Sequence, residues 1–312
     1  MLGVSTILAS YSPESLPQQF SEVIEARRSS ASCSMHYELT TSISEKQPNL
    51  TLSKFLVETD IQDGEQFVKT TVINKNGELS ESIAVKNALQ LIELSSSDHV
   101  PVNVFSHEKR SELNSLFRMD PRAIGIWPSN FMSQVQPKSI QSLKSDLEHY
   151  KFKSTLTGRT STHECVGEGF SLIFVISDNK LEVATKRFGN VVDEVILDYK
   201  KPYLCNGLPF PSQVVYTRQE SGNLILKQTA NIKAVSFGVK FPSSRFMLKG
   251  LGIPIGKEVT LFDEAREGIW DGEKVVSPKH ELQPRTKSRA WLVLIGLITL
   301  VFGCILLFRK GK

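Results

Sequence analysis

The sequence has few cysteines, and their spacing suits neither a metal site nor a disulfide framework. Its 312 residues include four cysteines, and none of them stands in a CxxC pair. Cys304 lies in an apolar run near the carboxyl end, which leaves Cys33, Cys165 and Cys205, an odd number. Two interpretations stay open: three buried thiols, or a bridge between Cys165 and Cys205 in an exported domain.

The signatures of common hydrolases and zinc sites are missing as well. Gly169-Phe-Ser171 is not followed by x-Gly, so it is not a nucleophile elbow. After His163, Gly167 stands where a zinc-binding helix needs its second histidine. The six histidines are scattered without ligand spacing. We therefore predict no catalytic residue, no metal site and no enzyme activity.

The glycines between Gly250 and Gly256 do not form a dinucleotide-binding loop. The third glycine comes one position late, and Pro254 prevents the following helix that would direct N–H groups at a phosphate. The segment predicts a turn before the last strand, and no cofactor is expected.

The net positive charge of the chain belongs to its carboxyl end. Residues 274–312 hold eight basic residues against one acid, a net charge of +7, whereas the whole chain carries +4. Residues 1–273 therefore carry about −3, which removes the compositional support for nucleic-acid binding. Basic residues beside a membrane span favour anionic headgroups instead.

One long apolar run, Ala290 to Phe308, contains no charge and no proline in 19 residues. As a helix it would reach roughly 28 Å, close to the ~30 Å hydrocarbon thickness of a bilayer. We predict a transmembrane helix over 290–308 with a basic tail over 309–312. The predicted anchor residues are Trp291, Leu292, Gly296, Thr299, Gly303, Phe308, Arg309 and Lys310. Small residues on one side of the helix predict a weak homodimer through the span.

The two flanks of the remaining chain have distinct compositions. Residues 1–14 are apolar and then small, like the last part of a signal peptide, although no basic n-region precedes them. Residues 264–289 are polar and basic with two prolines, which predicts a stalk. Together these features favour export, with the large domain outside the cytoplasm.

Hydrophobic periodicity predicts two or three helices. Leu16, Phe20, Val23 and Ile24 fall on one face of a helix that Ser15 can cap. The segments 106–117 and 139–150 show the same period, the second with a clean apolar stripe.

Most other segments show the alternation of antiparallel strands. The period changes to two at Ala31, and Asn76-Gly77 marks a hairpin turn. The stretch 83–94 fits helix or strand. From Lys151 onward, strands recur at 8- to 12-residue spacing, and 246–248 and 259–262 would complete the set. This order predicts a meander rather than a parallel sheet.

Three short motifs resemble a family of bacterial exported proteins. They are Asn206-Gly-Leu-Pro-Phe-Pro211 followed by a strand, Phe246-x-Leu-x-x-Leu251 followed by Ile253-Pro-x-Gly256, and Asp120-Pro-Arg-x-x-Gly125. The chain resembles the superfamily of periplasmic outer-membrane lipoprotein carriers and envelope-stress regulators (the LolA-like half-barrel), in a planctomycete-type form.

This resemblance implies an α+β fold over residues 15–263, a strongly curved antiparallel sheet covered by a few helices, followed here by the C-terminal transmembrane helix. It implies that acyl chains or lipoproteins bind the concave face. We expect a single-pass protein of the bacterial envelope whose extracytoplasmic domain binds or senses a lipid- or lipoprotein-like apolar ligand, with the bilayer as a partner. The alternative is a structural or protein–protein interaction ectodomain without a small-molecule ligand.

Overall fold

The computed structural model describes residues 16–43, 53–73, 76–95, 97, 100–106, 120–131 and 139–277. Within them, strands account for 56% of residues and helical segments for 14%. The two α-helices are α1 (Gln18–Arg28) and α2 (Ile140–Glu148). Short 3-10 helices form at Pro121–Ala123, Ser243–Phe246 and Leu248–Leu251.

Eighteen strands form in this part of the chain. They are β1 (Ser32–Ile43), β2 (Ser53–Gln62), β3 (Glu65–Ile73), β4 (Leu79–Lys86), β5 (Gln90–Ser95), β6 (Val102–Ser106), β7 (Phe152–Thr157), β8 (Thr160–Gly167), β9 (Phe170–Ser177), β10 (Lys180–Phe188), β11 (Val191–Asp198), β12 (Tyr203–Cys205), β13 (Leu208–Phe210), β14 (Gln213–Glu220), β15 (Asn223–Phe237), β16 (Glu258–Leu261), β17 (Arg266–Trp270) and β18 (Val275–Val276).

Sixteen of the strands form one sheet, and β12 and β13 form a separate hairpin. The order in the large sheet is β18-β17-β16-β6-β5-β4-β3-β2-β1-β15-β14-β11-β10-β9-β8-β7. Two meanders, β1 to β6 and β7 to β15, therefore meet where β1 pairs with β15. This central pairing is long, running from Cys33 opposite Phe237 to Ile43 opposite Leu226.

One pair of neighbouring strands departs from the predicted meander. Among the described strands, β6 and β16 are the parallel neighbours, with Val102 opposite Val259, and the other pairs are antiparallel. After β15 the chain passes over the sheet through the two 3-10 helices at 243–251 and reaches the far side of β6. The prediction of a strand at 246–248 is wrong, because this stretch serves as the crossing segment.

Apolar side chains fill the face of the sheet on which α1 and α2 lie, which we call the inner face. Met35, Tyr37 and Leu39 alternate along β1 and are buried there, as the period of two predicted. Phe20 of α1 contacts Phe174 of β9 with ring centroids 4.3 Å apart. The main apolar cluster extends from Phe152 on β7 to Phe105 on β6 and includes both helices.

A second apolar cluster lies on the opposite face, which we call the outer face, near β3 to β6. Phe246 from the crossing segment is buried there with Phe67, Val85 and Ile92. Trp270 of β17 completes this cluster. The crossing segment is thus held by burial of apolar area, at roughly 25 cal/mol per Å².

Two of the predicted helices form close to their predicted positions. Helix α1 buries Phe20, Val23 and Ile24, but it begins at Gln18 with Pro17 at its N-cap. Helix α2 begins after Ser139, whose hydroxyl oxygen accepts from the N–H of Ser142 at 3.1 Å. The ambiguous stretch 83–94 contributes to β4 and β5. The helix predicted over 106–117 lies, except for residue 106 in β6, outside the described residues.

The expected fold class, α+β with one C-terminal transmembrane helix, is wrong. The described chain is mostly one large β-sheet with two α-helices. In the described ranges, no helix is long and apolar enough to cross a bilayer. The expectation gave the helices too much weight, because strand-type alternation runs through most of the described chain.

The residues chosen for the membrane anchor lie outside the described ranges. These are Trp291, Leu292, Gly296, Thr299, Gly303, Phe308, Arg309 and Lys310, and the dimer predicted through the span depends on the same segment. Residues 1–14 lie outside as well. The sheet continues past residue 263, because β17 and β18 form within the segment 264–289 that was expected as a stalk.

All three cysteines of the described chain are free and buried. Cys33 lies on β1, Cys165 on β8 and Cys205 at the end of β12. The interpretation as buried thiols is therefore correct, and the Cys165–Cys205 bridge does not form.

Candidate ligand-binding site

Apolar side chains fill the inner face beneath the two helices. Phe20 and Ile24 of α1, Leu143 and Leu147 of α2, and Phe174 of the sheet are fully buried against one another. Interiors packed in this way contain few voids larger than a water molecule. We therefore looked for a ligand-sized space on the part of the inner face that the helices do not cover.

A cavity of about 270 Å³ lies over β3 to β6. The strand register explains its lining, because side chains opposite one another point to the same face. One row across the strands consists of Val68, Ala84, Glu93 and Asn103. The parallel row nearer the ends of the strands consists of Thr70, Ser82 and Ser95.

The cavity belongs to the inner face. Continuing the first row inward, Val68 stands opposite Thr59, and Thr59 stands opposite Met35 of the core. Val68 and Ala84 are themselves members of the main apolar cluster. The cavity thus joins the packed core at its apolar side and carries hydroxyl, amide and carboxylate groups at the other.

Thr59 carries a buried polar atom next to this lining. Its hydroxyl oxygen is inaccessible to solvent and has no hydrogen-bond partner among the described residues. Because β-branched residues suit a strand, Thr59 fits its backbone position. Its hydroxyl remains an unpaired group one strand away from Val68.

A buried ion pair fixes the loop at residues 120–125, which contacts both helices. The Asp120 carboxylate accepts from Arg122 Nε at 3.1 Å and from Nη2 at 3.0 Å, and it also accepts from the N–H of Ile140 at 3.0 Å. Arg122 Nη1 donates to the carbonyl of Ser30 at 2.5 Å. The Asp120-Pro-Arg-x-x-Gly125 motif therefore ties α2 and the end of α1 to one loop.

Arg27 forms the second contact between α1 and this loop. Its Nη1 donates to the carbonyl of Ile124 at 2.7 Å, and the guanidinium stacks over Phe210 at 4.7 Å. Burial lowers the pKa of Arg27 and raises the pKa of the neighbouring Tyr199. An arginine remains charged even so, and its stem adds to the apolar packing.

Gly125 closes this loop against the sheet. Its φ of +78° lies in the left-handed region, and a Cβ built on it would stand 2.7 Å from Leu197 Cδ2. Only glycine satisfies both the conformation and the close approach. The motif quoted from the sequence thus has a structural role at each of its charged and glycine positions.

A serine–histidine pair exists on the inner face of β7 and β8. Ser154 Oγ lies 2.8 Å from His163 Nδ1, and His163 Nε2 lies 3.0 Å from Ser161 Oγ. Ser161 in turn donates to Gln19 of α1 at 2.7 Å. Burial lowers the pKa of His163, which favours the neutral ring. The nitrogen that a carboxylate orients in a hydrolase triad is held here by a hydroxyl.

A charged group lies on the inner face between β11 and β14. The Asp193 carboxylate accepts from Tyr216 Oη at 2.6 Å and from Arg218 Nε at 2.7 Å and Nη2 at 2.8 Å. Burial, followed by the Asp193 contact, raises the pKa of Tyr216. The Asp193 contact raises the pKa of Arg218. The hydrogen bonds from Tyr216 and Arg218 pair the Asp193 carboxylate, so this group links β11 to β14.

The predicted anchor residues lie outside the described ranges, so they are not part of the site described here. The cavity residues were not singled out from the sequence. Their alternation predicted strands, but only the register shows that Glu93, Ser82 and Asn103 border the same space.

Comparison with known proteins gives structural similarity only. No family model matches the chain, and no curated protein matches it. One similar structure is a domain assigned to outer membrane lipoprotein sorting from Vibrio parahaemolyticus, with 10% identity, a TM-score of 0.43, and coverage of 72% of this chain and 94% of that one. Another is a LolA superfamily protein from Nitrosomonas europaea, with 9% identity, a TM-score of 0.45, and coverage of 76% and 100%.

This chain is similar to the LolA superfamily. Both structures carry names from the superfamily that the sequence motifs resemble.

Proposed function

We propose that this domain binds the apolar part of a lipid-like ligand in the cavity over β3 to β6. The observation that carries the proposal is the amphipathic lining of this 270 Å³ space. Val68 and Ala84 provide an apolar floor that continues into Leu91 and Phe105 of the core. Sites for small molecules combine such an apolar wall with a few polar groups.

The size of the cavity limits what can bind. Small-molecule pockets usually measure about 300–1,000 Å³, so the space suits one short chain or the end of a longer one. The rest of the ligand would remain on the open side. An extracytoplasmic site of action, as the sequence motifs imply, is part of this proposal.

We further propose that the domain binds its ligand without reacting with it. The Ser154–His163 pair is the arrangement closest to a catalytic one in the described chain. Serine hydroxyls contact both ring nitrogens of His163. The Ser161 hydroxyl in turn lies within hydrogen-bond distance of Gln19 Oε1 and the carbonyl oxygen of Ile176. A hydroxyl supports an imidazolium poorly in comparison with a carboxylate.

Thermal unfolding with a ten-carbon amphiphile tests the binding proposal. Ligand at 100 times its Kd should stabilise the delipidated chain by about 2.7 kcal/mol, a rise in Tm of roughly 5–10 °C for a domain of this size. Ser82→Phe should remove the effect, because the ring would occupy the cavity. Ser236→Phe is the matched control, since Ser236 is exposed on a strand and lies outside the lining.

A structural or protein-interaction domain with a filled interior is the second candidate. The packing of Phe20, Leu143 and Phe174 under the helices favours it, because these side chains are fully buried. A Tm that the ten-carbon amphiphile leaves unchanged, in the unaltered protein and in Ser82→Phe alike, would support this candidate and exclude ligand binding.

A further inference from the structure

We infer that the free edge of β7 binds an extended, acidic segment of another protein, which adds to the sheet as a further strand. Strand β7 ends the large sheet, and the cavity over β3 to β6 lies in the other half of the strand order. The two sites are therefore separate, and a peptide on β7 would bind independently of the lipid-like ligand.

The outer edge of β7 leaves a row of backbone groups unpaired. The strand pairs with β8 through six consecutive residue pairs, from Phe152 opposite Cys165 to Thr157 opposite Thr160, without a bulge. Among the described strands it has no second neighbour. The other end of the sheet, β18, has two residues only. A regular edge such as that of β7 is a template for another strand, because its outward N–H and C=O groups are already aligned.

Positive charge surrounds this edge. Residues 149–163 contain three cations, Lys151, Lys153 and Arg159, and no acidic residue. Arg159 pairs with an exposed aspartate at 3.7 Å. Lys151 and Lys153 are exposed and form no ion pair within the described part of the chain, although Glu164 stands opposite Lys153 on β8. Two lysines beside an open strand edge therefore have no described anionic partner.

These charges and the open backbone together select the occupant. Two copies that paired through β7 would bring the same cations together, and like charges repel. An anionic lipid headgroup would pair with the lysines, but it would leave the aligned N–H and C=O groups of the edge without a strand partner. An acidic peptide in the extended conformation satisfies both sets of groups.

The alternation along β7 indicates how the side chains of such a peptide would be arranged. Lys153 points to the outer face, whereas Leu156 points to the inner face and is 55% exposed. Side chains of neighbouring strands that stand opposite one another share a face. The occupant should therefore carry acidic residues on its outer side and apolar residues on its inner side.

The test uses three peptides of one length. A capped, fluorescent ten-residue peptide of alternating valine and glutamate is titrated with the full-length protein at pH 7.5, and binding is followed by anisotropy. We expect it to bind at least tenfold more tightly than a peptide with lysine in place of glutamate. It should exceed by the same factor a valine–glutamate peptide whose backbone amides are N-methylated. Binding should also slow hydrogen exchange along β7 and leave exchange along β10 unchanged.

Lysine variants locate the site on the protein. Replacing Lys151 and Lys153 by glutamine should weaken binding about twofold to fivefold for each lysine removed, the effect of an exposed ion pair. The matched control replaces Lys201 and Lys227 by glutamine. These two lysines are exposed, form no ion pair within the described ranges and lie outside β7, so the control removes the same charge and should bind as the unaltered protein does.

Several outcomes would overturn the inference. Equal binding of the three peptides, equal losses in the two double variants, or unchanged exchange along β7 would each do so. Slow exchange of every β7 amide in the free protein would show that the edge is already occupied. If phosphatidylglycerol vesicles bind through Lys151 and Lys153 while the acidic peptide does not bind, the partner is a lipid surface and the inference is wrong. None of these results would affect the ligand proposed for the cavity.

Discussion

At the scale of single residues, the strongest constraint is the buried Asp120–Arg122 pair. Both side chains are almost inaccessible, at 3% and 1% exposure. Removing one member leaves the other charge buried without compensation, at a cost of about 3–5 kcal/mol. We therefore expect Asp120→Asn to lower the free energy of unfolding by this amount in urea titrations.

Asp178→Asn provides a matched control for this prediction. Asp178 pairs with Arg159 at 3.7 Å, and both side chains are exposed. Exposed pairs contribute at most about 1 kcal/mol, and asparagine tolerates the positive φ of residue 178. Equal losses of unfolding free energy in the two variants would show that burial does not make the Asp120–Arg122 pair more important than an exposed pair.

His163 should make stability depend on pH. Burial lowers the pKa of its imidazole below 6.5, while the unfolded chain keeps a value of about 6.5. Between the two values the unfolded state binds more protons, so the contribution is complete above pH 6.5 and is lost as the pH falls below it. Urea titrations at pH 7.5, 6.0 and 5.0 should show this loss.

The variant His163→Asn separates this effect from general acid denaturation. It should be less stable at pH 7.5, because its contacts with Ser154 and Ser161 change. Its stability should then fall less steeply between pH 7.5 and 5.0 than that of the unaltered protein. Parallel pH profiles for the two proteins would contradict the assignment.

Gly125 offers a test of steric fit at the loop. Gly125→Ala adds a Cβ 2.7 Å from Leu197 Cδ2 at a left-handed backbone position, whereas Gly222→Ala has the same backbone strain and nothing within 4 Å. Left-handed strain alone costs roughly 1–2 kcal/mol. We expect Gly125→Ala to lose about 1–3 kcal/mol more than Gly222→Ala, and equal losses would show that Leu197 moves aside.

At the scale of secondary structure, the elements that were predicted correctly are those whose pattern lies within one short segment of the sequence. The stripe of Phe20, Val23 and Ile24 predicted α1, and the alternation along β1 predicted its buried face. Both patterns follow from the helical and strand periods. The parallel pairing of β16 with β6 was missed, because no local pattern records which distant strand becomes a neighbour.

The cavity was missed for a related reason. Its lining combines residues from β3, β4, β5 and β6, and their relation depends on the register of three strand pairs. A shift of one residue would turn Glu93 to the outer face. The same alternation in sequence is therefore compatible with a cavity and with a solvated surface.

The crossing segment allows a prediction for one element. Phe246 is buried in the outer cluster, and Asn87 Nδ2 donates to its carbonyl at 2.8 Å. Phe246→Ala should cost about 3–5 kcal/mol and should release β16 before the meanders, seen as faster hydrogen exchange at Val259 and Leu261. Met247→Ala, at an exposed neighbour, should leave exchange unchanged. Unaltered exchange at β16 in Phe246→Ala would show that the strand does not depend on this anchor.

At the scale of the whole molecule, the two meanders should unfold as one unit. A single apolar cluster contains residues from both, and the long pairing of β1 with β15 joins them. Cys33 lies on β1, Cys165 on β8 and Cys205 on β12. Burial raises the pKa of all three thiols, to about 11 for Cys165, so thiolate is scarce at pH 8. These cysteines therefore report on three separate parts of the fold.

We expect all three thiols to become reactive over the same range of urea. In Cys304→Ser, which leaves these three cysteines, a colorimetric thiol reagent at pH 8 should react little with the native protein and with three thiols in the unfolded one. Cooperative unfolding requires the three transitions to coincide with one another and with the loss of β-sheet circular dichroism. Reaction of Cys165 at lower urea than Cys33 would show instead that the meander from β7 to β15 opens independently, and the β1–β15 pairing would then be the boundary between two folding units.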